Sequence, residues 1–291
     1  MDFNRVLIIL LLLLFYLPIF SALIDSWLID PYYSHGFLVP IISAFFIWRK
    51  RNLLRYSDRD FNYGVVILAL GLFFYGIGIF YRSLFVSAVS FIVVLSGLTL
   101  CFCGRDVLHE FMFPICFLIF MIPLPFTDYV SFHMQSFTAA CTTSILRLMG
   151  IPATNVASQI LLENVFFVIG EPCSGLRTMI ALLTLSAVFV YVVEGHPNRK
   201  IVLFLSVFPV AVVANILRVT SILLIANYYG KESAMQFFHD FSSLFLFLLA
   251  FAFLILIGKC LGCSNLRNIC CLLYTSPSPR DLSTSRMPSS A

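Results

Sequence analysis

Three side chains capable of covalent chemistry lie at the edges of long apolar runs. Cys173 lies in the octapeptide EPCSGLRT, Arg218 interrupts the run VVANILRVTSILLIAN, and His239 lies in FFHD. A thiol can attack an acyl carbon, and an imidazole can take the thiol proton and later protonate a leaving amine. A guanidinium can stabilise the oxyanion that forms between these steps. The three residue types are together sufficient for acyl transfer.

Each of these residues also has an alternative structural role. Cys173 precedes a helix, so it is either a nucleophile or part of a helix cap, and the helix N-terminus and Arg177 one turn further on favour its thiolate. Arg218 either marks a functional site or snorkels to the outer headgroups. Asn215, one turn before Arg218, is expected on the same face of the helix. His239 is either a catalytic base or an interfacial cap of the last apolar run.

The elements that position these side chains are those of a membrane protein. The 291 residues are 60% hydrophobic and 11% charged, whereas a soluble domain carries about 25% charged residues. This composition excludes a soluble globule, and no polar stretch is long enough for a separate soluble domain. The net charge of +4 becomes informative only through where the charges fall. We predict one integral membrane domain over residues 1–272.

The C-terminal stretch 273–291 departs from the rest of the chain. It is rich in Ser and Pro, has no hydrophobic periodicity and follows the last apolar run. Such a stretch cannot bury enough apolar surface to fold, so we predict that it is disordered. It also resembles a translated sequencing adapter, which indicates a non-native tail, and we exclude it from the interpretation of the fold.

Apolar runs near the length of about 20 residues needed to cross a bilayer predict an all-α polytopic fold with about eight transmembrane helices. They cover residues 6–24, 36–48, 64–80, 84–103, 107–124, 178–193, 201–228 and 241–261. A long mixed stretch, 125–172, separates the fifth run from the sixth. Within it, 136–150 predicts an amphipathic helix ended by Gly150, and 164–170 predicts an extended segment that pairs locally. We expect both at the membrane interface.

The distribution of Lys and Arg predicts the orientation, because cytoplasmic loops carry an excess of both. With both termini in the cytoplasm, eleven Lys and Arg residues in loops or at the ends of spans fall on the inner side and three on the outer side, leaving out Arg177, Arg218 and the tail 273–291. A helix that starts at Ile201 reaches Arg218 after about 26 Å of a hydrocarbon core about 30 Å thick. Cys173, Arg218 and His239 therefore fall at one depth, near the extracytoplasmic face, on three different spans.

The nine cysteines do not predict a metal centre. Cys260, Cys263, Cys270 and Cys271 crowd the end of the last span, but no matching histidine pair accompanies them. Four others lie in or near apolar segments, where cysteine behaves as a small hydrophobic residue. We predict no metal site and no cofactor, because acyl transfer through a thiol needs neither.

Five motifs, in order, resemble the exosortase/archaeosortase family of membrane cysteine transpeptidases over about residues 25–262. They are YSHGFLVPIISAFFIWRKR, IPLP followed by RLMGIPA, CSGLRTMIALL, ANILRV and FFHDF. The resemblance implies that Cys173 is the nucleophile and that Arg218 and His239 are the second and third catalytic residues. Pro172 departs from the alanine that members often have at this position, which alters the turn into the helix and keeps the thiol.

The resemblance also implies a function. It implies a thiol protease or transpeptidase of the cell membrane that cleaves C-terminal sorting signals of the Pro-Glu-Pro type and transfers the new carboxyl end to an acceptor. Its partners are then membrane-anchored proteins with a short motif, a transmembrane helix and a basic tail, together with the bilayer and no nucleic acid. We expect Arg177 and Asn215 to support the site.

Two other classes of protein remain alternatives on the sequence alone. One is a polytopic transporter or lipid-binding protein that uses Arg218 and Arg177 as anion ligands, and the other is a structural membrane subunit. Transporter sites lie at broken helices near the midplane of the bilayer. Here the polar residues gather at the outer edge, which favours the enzyme.

Overall fold

The computed structural model describes residues 3–55, 61–162, 166–170, 173–230, 232–234 and 243–263, and this part of the chain is mostly helical. The helices are α1 (Phe3–Phe15), α2 (Leu17–Ile29), α3 (Leu38–Arg49), α4 (Phe61–Phe80), α5 (Leu84–Cys103), α6 (Arg105–Phe117), α7 (Thr127–Leu148), α8 (Leu176–Val192), α9 (Pro197–Leu205), α10 (Val207–Tyr229) and α11 (Ser243–Cys260). Short 3-10 turns cover Pro31–Tyr33, Arg51–Arg55 and Leu118–Met121. The predicted tail 273–291 lies outside the described residues.

Three helical stretches in the described ranges are long and apolar enough to cross a membrane. They are Phe61–Phe80, Leu84–Cys103 and Pro197–Tyr229, the last of which joins α9 and α10. They coincide with the predicted spans 64–80, 84–103 and 201–228. Three further apolar helices are shorter: Leu17–Ile29, Leu176–Val192 and Phe245–Cys260.

Prolines account for two of the differences between predicted spans and observed helices. The predicted span 6–24 is divided at Tyr16, and Pro18 lies in the first turn of α2, where its missing N–H costs nothing. The predicted span 107–124 contains Pro114, and its helix gives way to a 3-10 turn at Leu118. Proline removes an intrahelical hydrogen bond, so these runs form pairs of shorter elements.

Helices α4 and α5 form an antiparallel hairpin whose contact depends on glycine. Gly64, Gly71 and Gly78 recur every seven residues along α4 and are all buried. A Cβ at Gly71 would come 2.7 Å from Cγ2 of Val94, and one at Gly78 would come 2.6 Å from the backbone N of Ser87. Small residues in one row let the two backbones approach closely, as is typical of helices that pack in membranes.

The stretch 125–172 contains one long helix and a small sheet. Strands β1 (Ala153–Val156), β2 (Gln159–Leu162) and β3 (Phe166–Val168) form an antiparallel sheet in that order, with Leu161 opposite both Thr154 and Phe166. The prediction of a locally paired segment at 164–170 is confirmed for β3. The sheet is an addition to the all-α prediction.

Helix α7 differs from the predicted interfacial helix in the side that it exposes. It begins nine residues before the predicted 136–150 and ends at Leu148, just before Gly150, whose φ is +83°. Its buried side is polar and includes Gln135 and Thr138, whereas Phe132 and Phe137 are more than half exposed. A helix lying flat at an interface would turn its polar side to water. Helix α7 instead turns this side to the protein.

A second hydrophobic core lies beside the main one and includes the candidate cysteine. We call it the outer cluster. Its buried members come from α7, the sheet, the turn before α8 and α10: Ala139, Leu146, Ile151, Ala153, Ile160, Leu162, Ile169, Cys173, Val219 and Leu223. The main core joins α2, α5, α6 and α8. Cys173 therefore lies where the helical bundle meets the sheet.

Candidate active site

Cys173 occupies the turn that begins α8, and the residues after it must be small. Gly175 is the N-cap of α8 and has a left-handed backbone with φ of 80°. A Cβ at Gly175 would come 2.6 Å from Cγ of Asn215 on α10, so a larger residue would push the turn away. Ser174 is fully buried, and its hydroxyl accepts a hydrogen bond from the backbone N–H of Leu176 at 3.2 Å. This stretch thereby holds the cysteine against α10.

Asn215 joins this turn to two helices. Its side-chain Nδ2 donates to the carbonyl oxygen of Cys173 at 2.9 Å and to Thr138 Oγ1 on α7 at 3.2 Å. All three residues are buried. Buried polar groups in native proteins are nearly always hydrogen-bonded, and losing one partner is expensive. The backbone at the candidate nucleophile is therefore fixed by both α7 and α10.

Arg218 lies three residues after Asn215, on the same buried side of α10, as their spacing predicts. Only 6% of Arg218 is exposed. Its charge interacts with the thiol of Cys173 and with the guanidinium of Arg177. A buried guanidinium next to a thiol can stabilise an anion that develops on a substrate attached to the sulfur.

The ionisation of Cys173 differs from the expectation set by the sequence. Burial raises the pKa of the Cys173 thiol, and the charge of Arg218 opposes this shift only in part. Desolvation therefore outweighs the predicted stabilisation of the thiolate by the helix N-terminus and Arg177. Cys173 rests as a thiol at neutral pH, so its chemistry requires a base that removes the proton.

Arg177, the predicted supporting residue, lies in the first turn of α8 and is exposed. Its Nη2 donates to Ser34 Oγ over 3.4 Å. In the same loop, Nε2 of His35 lies 3.2 Å from Thr184 Oγ1, two turns further along α8. Burial lowers the pKa of His35, a hydrogen bond to the Phe120 backbone opposes this, and the charge of Arg177 lowers it further. His35 is therefore neutral at neutral pH and joins the loop to α8.

The loop between α2 and α3 also holds the chain that leads into α7. Its aromatic side chains are largely buried, and their polar tips reach across the fold. Two hydrogen bonds do this: the Leu124 N–H donates to the Tyr33 hydroxyl at 2.9 Å, and the Tyr32 hydroxyl lies 2.9 Å from Ser131 Oγ. Trp27, near the end of α2, adds a third, from its Nε1 to the Met121 carbonyl at 2.8 Å. One loop thus fixes both the start of α7 and the side chain of Arg177.

Thr138 and His35 are site residues that the sequence analysis did not select. Thr138 is 77 residues from Asn215, and His35 is 149 residues from Thr184, so no local spacing connects them. A signal existed in each case. Thr138 belongs to a row of polar residues at helical spacing, with Ser131, Gln135 and Thr142, and His35 lies within the first motif of the resemblance.

His239 lies outside the described residues, so its place beside Cys173 stays a prediction. Across the described ranges, no group of three His, Cys, Asp or Glu side chains is arranged to hold a metal ion. Cys263 is buried and Cys260 is exposed at the end of α11, and the cysteines at 270 and 271 lie beyond the described part of the chain.

A comparison with protein families identifies the chain. The profile of the transmembrane exosortase family matches residues 24–256, which is most of the sequence. This range contains Cys173, Arg218 and His239. No curated protein and no solved structure gave a match. The chain belongs to the transmembrane exosortase family, whose members are membrane-embedded proteases or transpeptidases that act on proteins with C-terminal sorting signals.

Proposed function

We propose that the protein is a cysteine protease and transpeptidase that cleaves the C-terminal sorting signals of membrane-anchored exported proteins. The observation that supports this most directly is the hydrogen bond from Asn215 to the carbonyl of Cys173, which holds the turn before α8 against α10. Asn215 lies one turn before Arg218, and the thiol-bearing residue and the guanidinium-bearing residue are both buried. A helix cap would need neither residue.

In the proposed reaction, Sγ of Cys173 attacks the carbonyl carbon of the scissile peptide bond while the thiol proton passes to the imidazole of His239. The carbonyl electrons move to oxygen, whose negative charge is stabilised by Arg218. When the C–N bond breaks, the leaving amine takes the proton from the imidazolium. An acceptor amine, an acceptor hydroxyl or water then attacks the thioester, and the thiol is released with its proton.

The supporting residues have different proposed roles. Asn215 is a positioning residue, because it holds the carbonyl of Cys173 and therefore the direction of the thiol. Arg177 is exposed and attached to Ser34, so it adds positive charge at the outer side of the same turn. That charge favours binding of an anionic part of the substrate close to the nucleophile.

We also propose a topology of about eight spans, with both termini in the cytoplasm and the site at the extracytoplasmic face of the cell membrane. The positive charges support this orientation, since eleven fall inside and three outside. The continuous helix from Pro197 supports the depth. It reaches Arg218 after about 32 Å, which is close to the hydrocarbon thickness of about 30 Å.

The direct test is replacement of the nucleophile. Cys173→Ser should lose most or all cleavage of a membrane-anchored reporter without lowering protein abundance, because a serine hydroxyl is far less acidic than a thiol. The wild-type enzyme mixed with the reporter should form a covalent adduct that hydroxylamine releases, as a thioester requires. The matched control replaces the other eight cysteines together and should leave cleavage largely intact.

The opposite results would assign the chain to another class. If Cys173→Ala still cleaves the reporter and the adduct forms at a different residue, the turn before α8 is only a cap. A second result would favour the hypothesis of a transporter or lipid-binding protein. In that case no sorting-signal reporter is cleaved or forms an adduct, and binding of an anion requires both Arg218 and Arg177.

A further inference from the structure

A groove runs along the outside of the bundle between α10 and α11. It has a volume of about 520 Å³. One wall is α10 from Ser206 to Leu217, and the other is α11 from Leu246 to Ile257. Ser206 is the one polar residue among those lining it, and its hydroxyl donates a hydrogen bond to the Leu203 carbonyl at 2.6 Å. The groove therefore offers apolar contact and suits an apolar occupant.

The shape of this groove fits a helix. Small side chains contribute to its lining, including Ala214 and Ala250, while Val213, Leu249 and Phe253 are each about half exposed. Small residues between bulky ones let another helix approach closely within a membrane. The α10 wall from Ser206 to Leu217 is about 17 Å long, which is three helical turns.

The groove ends at the candidate site. Its outermost residue on α10, Leu217, is the neighbour in sequence of Arg218, and Asn215 in the same turn is bonded to Cys173. From there the groove extends toward the inner end of α10. The end of the groove is therefore level with Cys173 along α10, with Leu217 half exposed on the outside of the bundle and Cys173 buried within it.

We propose that the groove between α10 and α11 binds the transmembrane helix of the substrate while the bond to be cleaved lies at Cys173. The inference rests on the proposed function, because it takes the substrate to be a protein cleaved just outside its own membrane helix. Docking of that helix along α10 fixes how far the scissile bond stands above the hydrocarbon. The position of the docked helix in the groove thus determines which peptide bond of the substrate reaches Cys173.

A neighbouring groove, between α7 and α10, suits an apolar helix less well because of its lining. It also has a volume of about 520 Å³ and shares Val213 and Leu217 with the first. Its α7 wall covers Phe137 to Ile145. Because Thr138 is at the level of Asn215 and Cys173, this wall leads outward from the site toward the sheet. On the other side of Thr138 the same groove continues as a cavity of about 280 Å³ whose lining includes Tyr129 and His133. Its polar side chains make it a poorer fit for an apolar helix than the groove between α10 and α11.

Photo-crosslinking tests the proposal. The probe is a tagged reporter that ends in a sorting motif, a transmembrane helix and a basic tail, held uncleaved by Cys173→Ala. With benzoylphenylalanine at Phe253, the reporter's helix should crosslink to the enzyme. Two controls are matched in residue type and exposure: Phe137 in the α7 groove and Phe73 on α4. Neither should give the adduct above background. Crosslinks from Phe253 to lipid only, or equal yields at all three positions, would overturn the proposal.

A blocking variant supplies an independent readout in the active enzyme. Val213→Trp and Leu249→Trp should each slow reporter cleavage by roughly tenfold or more, because a bulky indole obstructs the groove. Leu249, unlike Val213, does not line the neighbouring groove. Labelling of Cys173 by a small thiol-reactive acylating probe should be unchanged. Val66→Trp, on the exposed side of α4, is the matched control and should cleave normally. Normal cleavage by Val213→Trp would contradict the groove, whereas cleavage by Cys173→Ala would contradict the proposed function itself.

Discussion

The backbone of Cys173 is fixed by Asn215, while its thiol is governed by two opposing effects, burial and the charge of Arg218. Burial is the larger effect, so the residue is held in its neutral form. A neutral buried thiol is protected from adventitious oxidation and alkylation, since the thiolate is the reactive species. On this arrangement the nucleophile is activated only when substrate and base are both in place.

The raised pKa of Cys173 predicts how its labelling depends on pH. In a variant that keeps Cys173 as the sole cysteine, alkylation by iodoacetamide should be slow at neutral pH. It should increase with pH, with a midpoint above the value of about 8.5 for an ordinary cysteine. Arg218→Gln removes the charge that lowers this pKa, so the midpoint should move to still higher pH.

A remote charge change serves as the control for this titration. Arg199→Gln alters a guanidinium at the start of α9, which hydrogen-bonds the Leu261 carbonyl, and should leave the labelling curve unchanged. A midpoint below that of an ordinary cysteine, or a midpoint that is the same in Arg218→Gln, would show that burial and the charge of Arg218 do not set the pKa of the thiol.

Asn215→Ala should lower the rate of reporter cleavage by about tenfold or more, because it leaves the buried carbonyl of Cys173 without its donor. Thr138→Val is the matched comparison. It removes the other acceptor of Asn215 and keeps the bond to Cys173, so its loss should be smaller. The measurement is kcat and KM on membranes with equal enzyme abundance. Equal losses in kcat for both variants would mean that Asn215 only holds α7 to α10.

At the residue scale, sequence reasoning succeeded where the relation is local. The placement of Asn215 and Arg218 on one side of α10 follows from helical periodicity alone. The protonation of Cys173 did not follow, because it depends on burial by α7, α10 and the sheet, which are distant in sequence. Thr138 and His35 were not predicted as site residues for the same reason, because their partners are distant in sequence.

At the scale of elements, the prediction of the helices was most accurate where the apolar runs were uninterrupted. Helices α4 and α5 match their predicted spans because no proline breaks them. The stretch 125–172 was hardest, since the polar residues of α7 face the protein and invert the pattern of a soluble amphipathic helix. Of the sheet, only β3 was predicted, because it lies in the apolar run 164–170, whereas β1 has the sequence ATNV and contains no such run.

The α4–α5 hairpin gives a prediction at this scale. Gly78→Ala should destabilise the protein by about 1–3 kcal/mol, because the new Cβ would come 2.6 Å from the backbone N of Ser87, which cannot move aside cheaply. Gly76→Ala, two residues away on the same helix, meets nothing within 4 Å and should be neutral or slightly stabilising. Thermal unfolding in detergent micelles measures both. Equal effects would show that the close contact does not hold the hairpin together.

For the whole molecule, the proposed topology is tested at the 3-10 turn Arg51–Arg55. A cysteine at Asn52, on a background without the native cysteines, should react with a membrane-impermeant maleimide only when the reagent has access to the cytoplasmic side. The expectation follows from the excess of inner Lys and Arg. Cysteine introduced at Thr154 in β1, an exposed residue, is the opposite control and should react from outside. Reaction at Asn52 only from outside would invert the topology and remove the site from the outer face.

The helix Pro197–Tyr229 continues beyond Arg218 for about 16 Å, and the outer cluster packs around this extension. In the proposed orientation, Cys173 lies beneath this wall of protein. On the proposed function, we therefore expect a folded domain to be held above the wall and the substrate to reach Cys173 as an extended thread. At about 3.3 Å per extended residue, the thread needs at least five residues between the folded domain and the cut. We therefore expect cleavage of proteins that have a segment of this length and no cleavage of membrane proteins whose folded parts begin directly at the bilayer.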